Sequence, residues 1–333
     1  MRIAIDAMGG DYAPQEVVAG ALQARRELGI DVILVGDQEK VRAFTGEADV
    51  EIVHASQVIG MGEQPVLAVR RKQDASLVRA IRLVKEGIAS AMVSAGNTGA
   101  VMAASLLELG RITGIDRPAL VGLFPNVKGQ TVLLDVGANV DCRPHHLLQF
   151  AIMGSVYAEM VLGMPSPRVG LLNIGEEEGK GNELTQAAYP LLRETALNFI
   201  GNVEGRDLFN GRADVVVCDG FVGNVVLKSG EGLVMALQHV LEKEIKRNLM
   251  TRVAALMTLT SLKELRHRFD YSEYGGVPLL GINGVVVVSH GSSQARAIRN
   301  AIRVAREAVE SNLVAAIAGG LARALLQGVN ANA

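Results

Sequence analysis

Residues 171–184 read LLNIGEEEGKGNEL, an apolar stretch that runs into a loop of glutamates and glycines around a single lysine, Lys180. A strand that ends in a glycine-rich loop and leads into a helix is the repeating unit of parallel α/β sheets. The same pattern recurs in VSAGNTGA, LLDVGANVD, VVVCDGFVGN and VVVVSHGSS. Together these units predict an α/β fold with a largely parallel sheet and helices on both faces.

Short apolar stretches alternate with amphipathic ones along most of the chain. The predicted strands are RIAID, DVILVG, VEIVHAS, SAMVSAG, ALVGLF, TVLLDVG, RVGLLNIG, DVVVCDG and GVVVVSHG. Residues 14–29 and 75–87 predict helices that end at Gly29 and Gly87, because glycine commonly follows the last helical residue. No repeat and no Pro/Ser-rich linker divides the chain, so residues 1–333 are predicted to form a single unit.

The composition is that of a globular protein with a large core. The 333 residues are 49% hydrophobic and carry a net charge of −2, which gives no reason to expect nucleic-acid binding. Cys142 and Cys218 lack the paired spacing of disulfide or zinc motifs, which predicts reduced, buried thiols in a cytoplasmic protein. No signal peptide is recognisable, and no apolar run reaches the roughly 20 residues of a membrane-spanning helix.

Several common catalytic motifs are missing from the sequence. No G-x-G-x-x-G follows the first predicted strand. GEEEGKG departs from the P-loop in its spacing and in having Gly181 after Lys180, where Ser or Thr belongs. Neither G-x-S-x-G nor H-E-x-x-H occurs. Dinucleotide binding and NTP hydrolysis therefore lose support.

The five strand-end loops predict an anion-binding cleft. In open α/β sheets, ligands bind beyond the carboxyl ends of the strands. Glycines there allow backbone N–H groups to approach a ligand, and helix N-termini favour negative charge. Any one of these loops could equally be an economical turn between a strand and a helix, so the inference depends on all five.

The motifs, taken in order, resemble the phosphate acyltransferase family of bacterial phospholipid synthesis. The segments that carry the resemblance are AIDAMGGDYAP, SAGNTGA, IDRPALV, LLDVGANVDC, QFAIMGSVYAE, LLNIGEEEGKGNEL, VVCDGFVGNVVLK, DYSEYGGVPLLG and VVSHGSS. They extend from residue 1 to about residue 300, in order. Residues of about 240–268 and the tail after about 305 carry no recognisable match.

The resemblance implies a fold, a reaction and partners. The fold would be a Rossmann-like three-layer α/β/α sandwich, related to isopropylmalate dehydrogenases and phosphotransacetylases. The enzyme would move a long-chain acyl group from acyl carrier protein to inorganic phosphate, without a metal or other cofactor. The acyl phosphate would pass to a membrane glycerol-3-phosphate acyltransferase. The protein would be a homodimer, cytoplasmic and peripherally associated with the inner face of the cell membrane.

The chemistry of this reaction suggests roles for the loop residues. Lys180 is predicted as the cation that binds phosphate or stabilises the transition state, with Asp219 orienting and Asn224 donating a hydrogen bond. The other predicted phosphate- or substrate-binding residues are Asn97, Thr98, Gly99, Gly137, Asn139, Gly223 and His290. The pattern alone favours a solvated charged turn over residues 176–180; the resemblance favours a functional Lys180 and leaves the glutamates open.

Two surfaces are predicted outside the cleft. Arg70, Arg71 and Lys72 form a basic cluster suited to the acidic acyl carrier protein, although a solvated helix would look similar. A helical amphipathic insertion at about 240–268 presents apolar residues framed by basic ones, as membrane-binding segments do. Its predicted membrane-binding residues are Val253, Leu256, Met257 and Leu259. A dimer-forming helix pair would have a similar apolar face.

Three rival functions remain from the sequence. A phosphotransacetylase acting on short-chain acyl-CoA could share the fold. A decarboxylating dehydrogenase would need a nicotinamide site, for which no motif is found. A non-catalytic, membrane-associated scaffold would need the amphipathic segment and not Lys180. An acyl-Cys218 intermediate is possible but is not required, because phosphate can attack a thioester directly.

Overall fold

The apolar stretches form two β-sheets in the computed structural model, which describes residues 1–247 and 275–330. The first sheet has the spatial order β3 (Glu51–His54), β2 (Asp31–Gly36), β1 (Arg2–Asp6), β4 (Ala91–Ser94), β12 (Val285–Val288), β11 (Val277–Leu280) and β5 (Ala119–Leu120). The second has the order β6 (Gly122–Asn126), β7 (Gly129–Leu134), β10 (Val215–Val217), β8 (Val169–Leu172) and β9 (Phe199–Val203).

Helices cover both faces of the sheets. They are α1 (Gln15–Leu28), α2 (Gln38–Arg42), α3 (Pro65–Arg71), α4 (Ser76–Lys85), α5 (Thr98–Glu108), α6 (Pro144–Met160), α7 (Glu183–Arg193), α8 (Asp207–Asn210), α9 (Gly220–Lys246), α10 (Ala295–Glu310) and α11 (Leu313–Asn330). On one side α1 packs against α10, and α6 packs against α7 and α11. On the other side α5 packs against α3 and α4.

The core consists of two apolar layers, one on each face of the sheets. Successive residues of a strand point to opposite faces, so Ile3 and Ile5 join one layer and Ala4 joins the other. Each layer includes strand residues from both sheets, for example Leu134 in the first layer and Leu133 in the second. This arrangement confirms the predicted three-layer α/β/α architecture. No helix in residues 1–247 or 275–330 is long and apolar enough to cross a bilayer.

The division into two sheets is the main difference from the pattern prediction. All predicted strands are present, but ALVGLF is divided at Val121 between β5 of the first sheet and β6 of the second. The pairs β5–β11, β11–β12 and β6–β7 are antiparallel. β9 and β11 were not predicted, because FIGNV contains Gly and Asn and VPLL is short and contains Pro.

The ends of the two predicted helices are partly as expected. Gly29 adopts the left-handed conformation after α1, with a φ of 66°, and Gly87 follows α4 with a φ of 71°. Ser76 is the first residue of α4, and Ala75 occupies the cap position without a side-chain hydrogen bond. Ser76 is buried beside Asp6 at the end of β1.

An ion pair at the amino ends of β8 and β10 gives a test of the fold. Asp214 accepts hydrogen bonds from the Arg168 backbone N–H at 2.8 Å and from its guanidinium at 2.8 and 2.9 Å. Burial raises the pKa of Asp214, and the hydrogen bonds from Arg168 lower it. The lowering is larger than the rise, so the pKa of Asp214 lies below its ordinary value. The pair therefore stabilises the fold above the ordinary pKa of an aspartate, and this contribution is lost as pH falls through the lowered folded value.

We expect Asp214→Asn to lower the free energy of unfolding by about 1–3 kcal/mol at neutral pH, because Arg168 loses its charged partner. Urea denaturation of the wild type and the variant measures the difference. As pH falls through the lowered folded-state pKa of Asp214, the wild-type aspartate also becomes protonated, so the difference should shrink. A difference that is independent of pH would show that the carboxylate charge does not contribute.

Candidate active site

The carboxyl ends of the strands carry two groups of loops. The first loop group, on the first sheet, comprises residues 7–14, 95–99 and 289–293. The second loop group, on the second sheet, comprises residues 135–139, 173–182 and 218–224. Every predicted catalytic or substrate-binding residue lies in one of these groups.

A buried aspartate organises the first loop group. Asp6, at the end of β1, accepts a hydrogen bond of 2.6 Å from the Ser94 hydroxyl, and Gly96 N–H donates to the same hydroxyl at 3.0 Å. A side chain at Gly9 would place its Cβ 2.5 Å from Asp6 Oδ2, so only glycine fits. Burial raises the pKa of Asp6, and its hydrogen bonds oppose the rise.

Asn97 serves as a structural link within the first loop group. Its Oδ1 accepts from Ala100 N–H at 3.0 Å and caps α5, and its Nδ2 donates to Met61 O at 2.9 Å. Because both polar atoms are already bonded, its predicted contact with phosphate remains a prediction. The N–H groups of Thr98 and Gly99, at the start of α5, have no acceptor among the described residues. They are oriented as the free amides of a helix N-terminus.

His290 follows β12, as predicted, and its side chain is exposed. Its Nδ1 lies 2.8 Å from the Ser292 hydroxyl and accepts from Ser292 N–H at 3.2 Å. The next residue, Gly291, accepts a hydrogen bond of 2.7 Å from Asp11 N–H. The loop after β12 is thereby joined to the loop after β1.

A second buried aspartate, Asp135, organises the second loop group. Its Oδ1 accepts from the N–H groups of Leu120, Gly137 and Ala138, at 3.0, 3.2 and 3.0 Å. Its Oδ2 accepts from the backbone N–H and the side-chain amide of Asn139, at 2.7 and 2.9 Å. The amides of Gly137 and Asn139, predicted to bind phosphate, therefore already bind a carboxylate, and their contact with substrate remains a prediction.

The start of α9 lies directly on this turn. Asp219 caps the helix by accepting from Val222 N–H at 2.9 Å, rather than bonding Asn224. Asn224 is exposed, and its side chain lies 3.6 Å from the position of a Cβ at Gly137. The predicted residues Gly137, Gly223 and Asn224 are thus brought together, but Asp219 does not orient Asn224 through a hydrogen bond.

Lys180 lies in a loop whose backbone carbonyl groups accept hydrogen bonds from two asparagine side chains. Asn173 Nδ2 donates to Lys180 O at 3.0 Å, and Asn202 Nδ2 donates to Glu177 O at 2.8 Å. The aliphatic part of the lysine lies across Gly175, where an added Cβ would be 3.2 Å from its Cγ. The side chain is exposed, and its ammonium forms no ion pair within the described part of the chain.

The neighbouring glutamates pair with arginines instead of with Lys180. Arg212 binds Glu176 through both guanidinium nitrogens and holds the pKa of Glu176 below its ordinary value. Arg193 pairs with Glu178 at 2.8 Å. Two of the three negative charges beside the lysine are therefore matched elsewhere, which leaves Lys180 available to an anionic ligand.

The predicted surfaces are only partly within the described residues. Arg70 and Arg71 are exposed on α3, whereas Lys72 pairs with Glu63 at 2.6 Å. Segment 60–63 is held by Asn97, so α3 lies next to the first loop group. The predicted membrane-binding residues Val253, Leu256, Met257 and Leu259 lie outside the described residues, and so does most of the insertion at 240–268.

Within the described residues, one cluster of possible metal ligands is formed by residues outside the two loop groups. Asp116 Oδ2 lies 3.0 Å from His145 Nε2, and His146 completes the set within 4.8 Å. His146 Nδ1 accepts from Arg143 N–H at 3.0 Å. Burial lowers the pKa of His146, and the positive charges of His145 and Arg117 lower it further. Cationic neighbours make this a poor environment for a metal ion.

Two aspartates that organise the loops, Asp6 and Asp135, were not among the predicted site residues. Each is an aspartate at the end of an apolar strand with a glycine two or three residues later, at Gly9 and Gly137. That pattern was a usable signal. The signal is weak, because charged residues at strand ends usually face solvent.

Comparison with known proteins adds the family. A family model described as a fatty acid synthesis protein matches residues 1–316. A phosphate acyltransferase from Desulforudis audaxviator is 59% identical over 322 residues, which are 96% of each chain. The chain belongs to this family. A family member from Pelotomaculum thermopropionicum, also named phosphate acyltransferase, is 56% identical over 336 residues, covering 100% of this chain and 98% of that one.

Solved structures support the fold of this phosphate acyltransferase family member. A phosphotransacetylase from Streptococcus pyogenes matches with a TM-score of 0.63 at 18% identity, over 92% of this chain and 94% of that one. A branched-chain phosphotransacylase from Enterococcus faecalis matches with a TM-score of 0.60 at 16% identity, over 93% and 99%. The predicted likeness to phosphotransacetylase folds is confirmed, and the protein is an acyltransferase.

We expect neither cysteine to act as a nucleophile. Burial and, to a smaller extent, the charge of Asp135 together raise the pKa of Cys142 to about 11. Burial raises the pKa of Cys218 well above its ordinary value. At about pH 8 roughly one Cys142 thiol in a thousand is ionised. Iodoacetamide treatment and the variants Cys142→Ala and Cys218→Ala should leave acyl transfer within about twofold of the wild type. Loss of turnover in a folded variant would contradict this.

Proposed function

We propose that the protein transfers a long-chain acyl group from the thioester of acyl carrier protein to inorganic phosphate, producing acyl phosphate for phospholipid synthesis. The observation that carries the proposal is the end-to-end likeness to phosphate acyltransferases. No redox cofactor or metal is needed, because a thioester is already activated and phosphate is a competent nucleophile.

The proposed reaction needs orientation and charge stabilisation more than it needs a strong base. A phosphate oxygen attacks the thioester carbonyl, the C–S bond breaks, and the pantetheine thiolate leaves and takes up a proton. The enzyme has to hold the phosphate dianion and stabilise the oxyanion of the tetrahedral intermediate. The free N–H groups of Thr98 and Gly99 and the ammonium of Lys180 are suited to these tasks.

The neutralised glutamates support a catalytic role for Lys180. With Glu176 and Glu178 paired to arginines, the lysine is not bound in an internal salt bridge. The hydrogen bonds to Lys180 O and Glu177 O limit movement of the loop backbone. A cation on a restrained loop is pre-organised for a developing negative charge.

Lys180→Ala should lower the rate of palmitoyl transfer by about 100- to 1000-fold, because the oxyanion or the phosphate loses its cation. Palmitoyl-acyl carrier protein and phosphate are incubated with the enzyme, and the product is trapped with hydroxylamine as palmitoyl hydroxamate. Lys85→Ala is the matched control, since Lys85 pairs with Glu108 on the protein surface. Full activity of Lys180→Ala would exclude the catalytic role.

The same assay separates the rival functions. The likeness to the phosphotransacetylase fold favours short-chain acyl-CoA as the alternative donor. Consumption of acetyl-CoA with an untouched palmitoyl thioester would support that alternative. Failure of both donors would support the non-catalytic scaffold.

We assign carrier-protein docking to α3 and to the adjoining Lys72. Arg70 and Arg71 are exposed beside the first loop group, where an acidic carrier would deliver its thioester. Lys72 contributes less, because it is already paired with Glu63.

Replacing Arg70 and Arg71 together by glutamate should raise the KM for acyl carrier protein about tenfold at low salt, because favourable steering is replaced by repulsion. The effect should fade as the salt concentration rises. A double glutamate variant of Arg26 and Lys40, both exposed elsewhere, makes the same change in charge. Equal effects from the two double variants would show that net charge, and not docking at α3, is responsible.

The remaining parts of the proposal concern assembly. The described part of α9 exposes a run of apolar side chains: Leu233, Met235, Leu237, Val240 and Leu241. This surface supports a homodimer, peripheral contact with the inner face of the cell membrane, or both. Membrane contact would deliver acyl phosphate close to a membrane glycerol-3-phosphate acyltransferase.

A further inference from the structure

The buried carboxylate of Asp135 has donors on every side. Leu120, Gly137, Ala138 and Asn139 supply its hydrogen bonds, and all of these partners are N–H groups. A protonated carboxyl would set an O–H against an N–H, so the surroundings fit the ionised form. Burial raises the pKa of Asp135, and the donors act against the rise.

The turn at residues 137–139 has the form of an anion site that is already filled. Successive backbone amides converge on one point, which is how proteins commonly bind phosphate. Here they converge on the protein's own carboxylate. A substrate phosphate could reach these amides only by displacing Asp135.

The same carboxylate fixes the start of α9. Gly220 N–H donates to Asn139 O at 2.7 Å, and a Cβ at Gly220 would lie 2.8 Å from Asp135 Oδ2. A Cβ at Gly223 would lie 1.9 Å from Asp135 O, so α9 begins in direct contact with the aspartate. Asn224 follows on the next position of the helix, with its side chain against Gly137.

Asp135 also connects the two sheets. It ends β7 of the second sheet, and its Oδ1 accepts from Leu120 N–H in β5 of the first. Val136 N–H donates back to Leu120 O at 3.1 Å. Displacement of this one carboxylate would therefore loosen the turn, the start of α9 and the contact between the sheets.

We propose that Asp135 is a positioning residue for acyl transfer: its carboxylate occupies the amide cradle of residues 137–139 in place of a substrate anion and thereby sets the position of α9 and Asn224. This inference rests on the proposed function for its kinetic consequence. Its structural consequence, a turn whose amides are held by Asp135, can be measured without turnover.

The kinetic test uses Asp135→Asn, with Asp214→Asn as the matched control. The side-chain NH2 of the new asparagine would face the two N–H groups of Asn139, which need an acceptor, and should displace the turn. We expect kcat to fall about 100-fold, because α9 is then misplaced. The KM for phosphate should stay within about twofold, because the cradle does not bind substrate. Asp214→Asn removes a half-buried carboxylate far from the loops, so it tests whether destabilisation alone lowers kcat.

A rescue experiment separates positioning from general loss of stability. Asp135→Ala leaves a space between the amides that formate can enter as a small carboxylate. We expect Asp135→Ala to lose kcat roughly 100-fold and formate to restore about tenfold of that loss. Formate should not raise the kcat of the wild type or of Asp214→Asn. Lack of rescue in a folded Asp135→Ala variant would overturn the proposal.

Amide hydrogen exchange of the full-length protein gives the readout independent of activity. Asp135→Asn should speed exchange in residues 136–142 and 219–224 and leave residues 173–181 unchanged. Gly223→Ala should do the same from the other side of the contact, whereas Gly232→Ala, with open space at its Cβ on the same helix, should not.

The outcomes distinguish failure of the proposed function from failure of the positioning role of Asp135. If the wild type makes no acyl phosphate, the proposed function fails. The exchange data still test whether Asp135 holds the amides of residues 137–139. If the wild type is active and Asp135→Asn lowers kcat with the exchange change, the proposal holds. Unchanged kcat and unchanged exchange in Asp135→Asn would overturn the proposal. A changed KM for phosphate with an unchanged kcat would also overturn it, because the amides of residues 137–139 would then bind substrate.

Discussion

A carboxylate removed from water must find its hydrogen bonds within the protein. Asp135 finds five, and they come from β5, from the turn that follows β7 and from the side chain of Asn139. These bonds join β5 of the first sheet to the turn after β7 of the second, next to the backbone hydrogen bond from Val136 to Leu120. The edge of the first sheet, the turn after β7 and the first residues of α9 all meet at this one carboxylate.

In the first sheet, a buried aspartate also orders the loops, with fewer hydrogen bonds. Asp6 is buried at the end of β1 and, through the hydroxyl of Ser94, is linked to the loop that opens α5. In both sheets, a glycine is required where a loop passes over the carboxylate, at Gly9 and at Gly220. Buried carboxyl groups thus shape the loops. The amides of Thr98 and Gly99 have no partner among the described residues and can receive an external anion.

The charged groups on the loop after β8 are exposed, unlike the buried carboxyl groups of Asp6 and Asp135. Screening makes each surface ion pair weak, so the pairs of Glu176 and Glu178 with arginines contribute little to stability. Their effect on charge distribution is larger, since they leave Lys180 without a partner among the described residues. The glutamates that surround the lysine in sequence therefore do not neutralise it in space.

The sequence by itself determined the α/β class, the predicted strands, the family and the loops that carry the candidate site. Strand periodicity and glycine-rich strand ends are local properties, and a local pattern is enough to reveal them. The tertiary structure alone decided that the strands form two sheets divided at Val121 and that Asn97 links segments rather than standing free. It also decided that the amides of Gly137 and Asn139 are occupied by Asp135. The division into two sheets and the links made by Asn97 depend on which groups meet across distant parts of the chain. The turn at Asp135 is local, but its carboxylate is enclosed by Leu120 and the start of α9, and the spacing within the turn does not encode those contacts.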